Sequence, residues 1–423
     1  MNQELAWPRA DFSRVPYPVF FDPAYYAREQ EHLFRGPVWN YLALEIEIPN
    51  PGDFRATYVG DTPVVVVRAE DGSVHGFVNR CAHRGTLLVR TQGGNTKDFT
   101  CVYHHWCYDR KGNLIGVPFL RGLKGKGGMP KDFRLADHGL RMLKVEAYGG
   151  VVFGTFSDRA EPLPEFLDTV SRDFIDRVLA KPIHLMGYMR QRIPGNWKLY
   201  FENLHDVSHA GLLHRLSTIF GQHRSTYAGG FVMDKGARHK VTSSIFQSDD
   251  KDASKEGYEH TDWIDGEHKL NDPGVFEFHD ELGDRKSGHF LTVFPNLVIQ
   301  QLGNSLATRQ IRPKSPTSFE LYWTFFGYDD DDDAMWRRRM KQANNVGPAG
   351  LTSMEDGEAG RLVQLGIKGA TADDYSVIEM GGLGPVGSQD TMLTEVGVRA
   401  FWLNYCELLG IAAREGVPRR AAE

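Results

Sequence analysis

The stretch Asn196–His214, N-W-K-L-Y-F-E-N-L-H-D-V-S-H-A-G-L-L-H, carries two histidines and a carboxylate where a metal ion could bind. On a regular helix Asp206 and His209 share a face, whereas His209 and His214 point about 140° apart. Both histidines can bind one ion only if the helix breaks, bulges or ends between them. Glycine permits such a break, so we predict it at Ala210-Gly211.

Length and composition describe an ordinary globular chain. At 423 residues it is longer than one hydrophobic core usually grows, which predicts two domains. With 41% hydrophobic and 25% charged residues, it is neither disordered nor fibrous. A formal charge of −6 with scattered Lys and Arg gives no nucleic-acid or membrane-binding surface. The N-terminus lacks the apolar core of a signal peptide, so we expect a cytoplasmic protein whose four cysteines are ligands or buried thiols.

Changes in sequence pattern divide the chain into three segments. Residues 1–37 are predicted to be a lead-in element that packs on the catalytic domain. Residues 38–157 contain short β-rich runs separated by turns rich in Gly, Asp and Asn, which indicates a small all-β domain. Residues 158–423 combine helical stretches with strands of an antiparallel sheet, and the run 394–415 predicts a long closing helix. The polar stretch 248–284 is predicted to be surface loop, and the fold class is α+β.

Two short loops of the β domain hold two cysteines and two histidines in an interleaved order. They read Cys81-Ala-His83 and Cys101-Val-Tyr-His104. This is the ligand set of a Rieske [2Fe-2S] centre, in which thiolates hold one iron and imidazoles hold the other. Zinc also binds two Cys and two His, but zinc ribbons usually pair C-x-x-C knuckles, whereas each loop here brings one ligand of each kind. The pattern favours the iron–sulfur interpretation and leaves a zinc-stabilised interaction protein as the alternative.

With these motifs the chain resembles the large (alpha) subunit of Rieske non-haem iron aromatic-ring hydroxylating dioxygenases. The family pattern E-N-x-x-D-x-x-H-x-x-x-x-H matches residues 202–214 and includes Asn203 as a candidate catalytic residue. The resemblance implies a small all-β Rieske domain and a catalytic domain whose antiparallel sheet is flanked by helices, of the helix-grip or START-like type.

The resemblance also implies a mononuclear Fe(II) held by His209, His214 and a downstream carboxylate. Two imidazoles and one carboxylate on one face of the ion leave open positions for dioxygen. Asp356 is the expected carboxylate, and Glu355 beside it is the fallback ligand.

Asp206 is implied to be an electron-transfer bridge between subunits. In relatives the matching residue hydrogen-bonds an iron-ligating histidine and reaches a cluster histidine of the neighbouring subunit. The bridge here would join His104 of one chain to His209 of the next. One departure from the pattern is Ser208, where relatives commonly have Tyr, and another is His205 beside the bridge.

Within the family, the chain resembles the branch that oxidises aromatic carboxylates: anthranilate 1,2-dioxygenases, salicylate 5-hydroxylases and terephthalate dioxygenases. Arg309 matches the arginine expected to clamp the substrate carboxylate, for which its planar fork is suited. Terephthalate enzymes carry a second basic residue where this chain has Met392, which argues for a monocarboxylate. Val207 and Phe220 are the other residues implied in substrate binding.

These observations predict a terminal oxygenase that uses O2 to oxidise an aromatic carboxylate. Anthranilate is the favoured substrate, and its products would be catechol, CO2 and NH3. Alternatives are a salicylate 5-hydroxylase that forms gentisate, another ortho-substituted benzoate dioxygenase, and a Rieske demethylase or monooxygenase. The sequence contains no Rossmann fingerprint or flavin site, so electrons must come from a separate NAD(P)H-dependent reductase through a ferredoxin. The resemblance also implies a small beta subunit in an α3β3 assembly.

Overall fold

The computed structural model describes residues 6–246, 256–259 and 269–413. The chain forms two compact units, one made of residues 1–33 with 167–423 and the other of residues 34–166. Part of the loop predicted over 248–284 lies outside the described residues. Within the described ranges, no helix has both the length and the apolar composition needed to cross a bilayer.

The N-terminal segment contains short elements that pair with distant parts of the first unit. Strand β1 runs parallel to the last described strand near residue 412, and β2 pairs antiparallel with residues near 376. The elements are β1 (Ala6–Trp7), β2 (Arg14–Pro16), a 3-10 helix (Tyr17–Phe20), α1 (Pro23–Arg28) and a π-helix (Glu29–Phe34).

The unit of residues 34–166 is an antiparallel β structure, as the alternation of strands and turns predicted. Its larger sheet has the strand order β3-β12-β11-β6-β5-β4-β7, and a smaller one has the order β10-β9-β8. In β5 the four consecutive valines 64–67 are fully buried, which suits the preference of β-branched residues for pleated strands. The strands are β3 (Asn40–Leu44), β4 (Asp53–Val59), β5 (Thr62–Arg68), β6 (Val74–Val78), β7 (Gly93–Asn95), β8 (Phe99–Thr100), β9 (Cys107–Tyr108), β10 (Leu114–Gly116), β11 (Met142–Tyr148) and β12 (Val151–Thr155).

The other unit is built on a seven-stranded antiparallel sheet with the order β13-β19-β18-β17-β16-β15-β14. Its central strands are almost wholly buried, as at residues 297–301. Burial on both faces means that each face is covered by other parts of the unit. The strands are β13 (Ile183–Ile193), β14 (Gly229–Met233), β15 (Lys240–Ser244), β16 (Gly288–Val293), β17 (Leu297–Leu302), β18 (Ser305–Ser315), β19 (Ser318–Tyr328), β20 (Tyr375–Val377) and β21 (Ala412–Ala413).

Helices complete this unit and give the α+β arrangement that the sequence predicted. Helix α3 packs against α7 and α8, and α6 packs on β18 and β19. The predicted closing helix is α8, and it ends at Gly410, whose left-handed φ of 60° is the usual glycine C-cap. The helices are α2 (Leu163–Val178), α3 (Trp197–His205), α4 (Ala210–Leu213), α5 (Arg215–Ile219), α6 (Asp333–Val346), α7 (Leu351–Gly366) and α8 (Val396–Leu409).

Glu29 joins the N-terminal segment to the core of its unit. Its carboxylate accepts hydrogen bonds from Lys198 Nζ, from the Tyr405 hydroxyl (2.7 Å) and from Trp197 Nε1 (2.8 Å). The side chains of Glu29 and Lys198 are both fully buried. Breaking such a pair from one side is costly, because the remaining charge stays in a low-dielectric interior without its partner.

We therefore expect Glu29→Gln to lower the free energy of unfolding by about 3–5 kcal/mol, because Lys198 would lose its buried counter-charge. Denaturant unfolding at fixed protein concentration measures the loss. Glu31→Gln is the matched control: this neighbour is 73% exposed, and its substitution should change stability by less than about 0.5 kcal/mol. Equal unfolding midpoints for the two variants would contradict the expectation.

Candidate metal centres

The two loops with cysteine and histidine have the same backbone design. In each, the N–H of the cysteine donates to the carbonyl five residues later, and the N–H four residues later donates back to the cysteine carbonyl. That fourth residue is left-handed in both loops, with φ of 76° at Gly85 and 55° at His105. Glycine adopts this conformation without strain, whereas histidine does so rarely. The repeated turn places Cys81 and Cys101 at equivalent positions.

The four side chains form two pairs. Cys81 and Cys101 are buried, and the Cys81 side chain is near enough to favour ionisation of the Cys101 thiol. The rings of His83 and His104 have centroids 4.6 Å apart. Among the described residues, this set does not bring three ligand atoms within 4.8 Å of one another. A tetrahedral zinc would need all four within roughly 4 Å, so the arrangement fits two irons, one with two thiolates and one with two imidazoles.

Hydrogen-bond donors surround the two sulfurs. Burial opposes ionisation of the Cys101 thiol, but the backbone N–H groups of Tyr103 and His104 favour it, and the pKa of Cys101 is lowered. The hydroxyl of Tyr108 lies 3.3 Å from Cys81 Sγ. A thiolate is the form that binds iron, so these donors suit a cluster ligand.

His209 and His214 are brought together by breaks in the helix. Helix α3 ends at His205, a turn follows, and His209 caps the single turn of α4. His214 ends that turn with φ −82° and ψ 68°, before α5 begins. The predicted interruption is therefore confirmed, but its predicted place at Ala210-Gly211 is wrong, since this dipeptide lies inside α4.

Gly211 serves close packing and not a backbone break. A Cβ atom at this position would lie 2.2 Å from Ser225 Oγ and 2.5 Å from the Tyr258 hydroxyl. The same hydroxyl donates to the Gly211 carbonyl at 3.0 Å. A larger residue would push α4 out of place, and the position of both histidines with it.

The side chains of His209, His214 and Asp356 converge on one point. Asp356 Oδ1 lies 3.5 Å from His209 Nε2 and 3.3 Å from His214 Nε2, and the three ligand atoms all lie within 4.8 Å of one another. Neighbouring ligands of a metal about 2.1 Å away lie roughly 3 Å apart, so the set can hold one ion. Two imidazoles and a carboxylate form the facial triad of non-haem Fe(II) oxygenases.

Charge in the triad favours a cation. Burial opposes ionisation of Asp356, but His214, His209 and Arg309 outweigh it, so the pKa of this carboxyl is lowered. Burial lowers the pKa of His209, but the hydrogen bond with Asp356 and the negative charges of Asp356 and Asp206 together raise it more, and the net pKa is raised. The buried carboxylate thus stabilises positive charge between these atoms, which is what a divalent iron supplies.

Each histidine is oriented through its other ring nitrogen. His209 Nδ1 lies 2.5 Å from the backbone carbonyl of Asp206, and His214 Nδ1 lies 2.9 Å from Glu355 Oε2. Glu355, the fallback ligand, therefore contacts the side of His214 that faces away from the triad. Such partners fix the ring orientation and the tautomer of a metal-ligating histidine. The Asn203 amide donates to Asp356 Oδ1 at 3.0 Å and lies 3.1 Å from His209 Nε2.

The carboxylate of Asp206 binds the turn and not the imidazole. Its Oδ1 accepts from the backbone N–H groups of Ser208 (2.9 Å) and His209 (3.1 Å) and from the Ser208 hydroxyl (2.7 Å). The expected bond to an iron-ligating ring is made by the backbone carbonyl of Asp206 instead. His205, the unusual residue beside Asp206, is a buried helix residue whose Nδ1 lies 2.9 Å from the backbone carbonyl of Phe201.

A cavity beside the triad contains most of the predicted substrate residues. Side chains alternate along a strand, and register places Thr242 opposite Phe290 and Arg309 opposite Trp323 on the sheet. Thr242, Phe290 and Arg309 line the cavity together with Val207 and Met392. Phe220 lies outside its wall, with its ring 6.4 Å from that of Phe276.

Arg309 is held rigidly in the cavity wall. Its Nε and Nη2 donate to Gln300 Oε1, its Nη1 donates to the Tyr200 hydroxyl at 2.8 Å, and its guanidinium lies 4.3 Å from the ring centroid of Trp323. A guanidinium has five N–H donors, so two remain, one on each terminal nitrogen. Tyr200 and Gln300 were not predicted from the sequence, because nothing near them in the chain marks a contact with Arg309.

Two family models match the chain. The "Rieske [2Fe-2S] domain" matches residues 38–126, and the "Ring hydroxylating alpha subunit (catalytic domain)" matches residues 175–410. Both metal centres lie within these matches.

Characterised relatives cover nearly the whole chain. The anthranilate 1,2-dioxygenase large subunit of Burkholderia cepacia is 48% identical over 96% of this chain and 96% of its own. The terephthalate 1,2-dioxygenase terminal oxygenase component subunit alpha 2 of Comamonas sp is 45% identical over 96% of this chain and 98% of its own. The salicylate 5-hydroxylase large oxygenase component of Ralstonia sp is 42% identical over 96% of this chain and 97% of its own.

A solved structure has the same fold. Naphthalene 1,2-dioxygenase from Rhodococcus sp. bound to indole superposes with a TM-score of 0.75 at 24% identity, covering 94% of each chain. At this sequence identity the structural similarity shows the fold alone.

Proposed function

Because this chain belongs to the Rieske ring-hydroxylating alpha subunits, we propose that it oxidises an aromatic monocarboxylate, with anthranilate the best-supported substrate. It is an oxidoreductase with a Rieske [2Fe-2S] cluster and a mononuclear iron. When bound, the iron supplies dioxygen activation and the cluster supplies electrons. Delivery of those electrons by a ferredoxin and a reductase is a general property of the family. We assign the cluster to Cys81, His83, Cys101 and His104, and the iron to His209, His214 and Asp356.

Arg309 carries the substrate assignment. Its two unused N–H groups lie on different terminal nitrogens, which suits the two oxygens of one carboxylate. Gln300 and Tyr200 fix the guanidinium before substrate arrives, so little conformational entropy is lost on binding. Among the described residues that line the cavity, Arg309 is the single arginine or lysine. Met392 stands in the same wall without a charge, which supports one carboxylate and not two.

The relatives support an ortho-substituted benzoate as the specific substrate. Conversion of anthranilic acid to catechol, CO2 and NH3 consumes one O2, two electrons and two protons. The reductase and ferredoxin of the family are the source of the electrons. The second candidate is 5-hydroxylation of salicylate, because a salicylate 5-hydroxylase component is 42% identical to this chain.

The proposal is tested with the holoenzyme, its redox partners and a panel of benzoates. We expect turnover of anthranilate to catechol with both atoms of labelled O2 in the ring product. Gentisate from salicylate, with one labelled atom, would support the second candidate. Turnover of none of the aromatic carboxylates would overturn the assignment.

Arg309→Gln should abolish the preference for a carboxylate. Loss of a charge-assisted pair costs about 1.5–3 kcal/mol, so kcat/KM for anthranilate should fall about tenfold to a hundredfold, chiefly through KM. The matching amide, anthranilamide, carries no charge and should lose much less. The measurement is the acid-to-amide ratio of kcat/KM, with iron content determined for each variant. Arg309→Lys keeps the charge but not the planar fork, so its acid-to-amide ratio should lie between those of wild type and Arg309→Gln.

We further propose a small beta subunit in an α3β3 assembly with this chain. The names of two relatives, a large subunit and a large oxygenase component, support a smaller companion. Co-expression followed by native mass measurement tests the stoichiometry.

A further inference from the structure

His223 is a cavity-wall residue that the proposed chemistry does not yet use. It follows α5, and its backbone N–H donates to the Ser217 carbonyl at 3.3 Å. Its ring lines the cavity beside the triad, yet the buried Nε2 atom has no hydrogen-bond partner among the described residues. A buried polar atom without a partner is destabilising, so a cavity-wall histidine that carries such an atom is suited to gain a polar partner from a ligand.

The imidazole is neutral in this environment. Burial, together with the nearby His214 and His209, lowers the pKa of His223 to about 4. A neutral imidazole offers one N–H donor and one acceptor nitrogen. It can therefore pair with an amino or a hydroxyl group without introducing a second charge into the cavity.

Several other polar side chains of the wall already have partners or roles. The iron accounts for the three triad residues and the substrate carboxylate accounts for Arg309. The Ser217 hydroxyl donates to Gln222 Oε1 at 2.9 Å. Arg309 and His223 both line the cavity that contains the triad. In the proposed substrates the carboxylate and the ortho substituent are neighbours on one ring, so a carboxylate bound to Arg309 leaves the ortho substituent to a neutral polar group of the wall.

We propose that His223 determines specificity for the polar substituent ortho to the substrate carboxylate, by hydrogen bonding the amino group of anthranilate or the hydroxyl group of salicylate. This inference rests on the proposed function. The contact would make the protein bind such substrates more tightly than unsubstituted benzoate. Benzoate has the same carboxylate for Arg309 but no ortho polar group for His223.

The test is anaerobic calorimetric titration of the holoenzyme with anthranilate, salicylate and benzoate, using wild type, His223→Phe and His223→Gln. We expect His223→Phe to raise Kd for the preferred ortho-substituted acid about tenfold to a hundredfold and to change Kd for benzoate less than about threefold. His223→Gln, which retains a donor and an acceptor, should recover part of the loss. The content of mononuclear iron and the far-UV circular dichroism spectrum report that each variant is folded.

Two results would overturn the inference and can be told apart. If wild type binds none of the three acids, both the proposed function and this inference are wrong. If wild type binds them and both variants weaken benzoate as much as the ortho-substituted acids, only the role of His223 is wrong.

Discussion

Asp356→Asn is expected to remove the mononuclear iron and leave the cluster in place. The substitution keeps the size of the side chain but removes the one anionic ligand from a triad whose other members are neutral imidazoles. The carboxylate also lies between His209 Nε2 and His214 Nε2, so its charge stabilises any cation there. Substituting a residue that only supports a metal ligand costs about tenfold to a hundredfold in affinity or activity. Loss of a direct ligand should therefore lower turnover at least a hundredfold.

Metal and sulfide analysis of the purified variant gives the decisive measurement. Iron per chain should fall from three to two, while inorganic sulfide stays at two per chain, as expected for an intact [2Fe-2S] cluster. Glu358→Gln is the matched control on the same helix, because Glu358 is exposed and pairs with Arg361 on the surface. A variant at Asp356 that retains three irons and full turnover would show that the carboxylate ligand lies elsewhere.

The four cluster ligands and the two histidines of the iron site could be predicted from the sequence because they lie in short stretches of the chain, whereas Asp356 was assigned through the family resemblance. Cys81 and His83 are separated by one residue, and Cys101 and His104 are separated by two. Such spacing largely determines which atoms can meet, whatever the rest of the fold does. The interruption between His209 and His214 followed in the same way from helix geometry, although its position depended on packing around Gly211.

The surroundings of the centres could not be predicted, because tertiary packing decides them. Glu355 and Asp356 are adjacent carboxylates, and consecutive helix residues point about 100° apart. Only the placement of α7 determines that Asp356 faces the triad while Glu355 binds His214 Nδ1. Likewise, Arg309 meets Tyr200 across 109 positions in the chain, and no local pattern records such a contact.

Asp206→Asn is expected to stop electron delivery while both metal centres stay occupied. Asparagine keeps an oxygen that can accept from the backbone of Ser208 and His209, so the turn before α4 should persist. The bond that orients His209 comes from the backbone carbonyl of residue 206 and is unaffected by the substitution. What changes is the negative charge, and we propose, as the family resemblance implies, that this charge contacts a cluster histidine of the neighbouring subunit.

The distinguishing observation is a cluster that is reduced but cannot pass its electron on. Stopped-flow absorption should show that chemically reduced Asp206→Asn reoxidises about a hundredfold more slowly than wild type with substrate and O2, at unchanged iron and sulfide content. Ser208→Ala is the matched control: it removes the 2.7 Å hydroxyl bond to Asp206 but keeps the charge, so reoxidation should slow less than tenfold. Asp206→Ala loses the turn-stabilising oxygen as well and should also lose iron. Wild-type reoxidation in Asp206→Asn would refute the bridge, because this variant removes the negative charge of residue 206 and keeps its turn-stabilising oxygen.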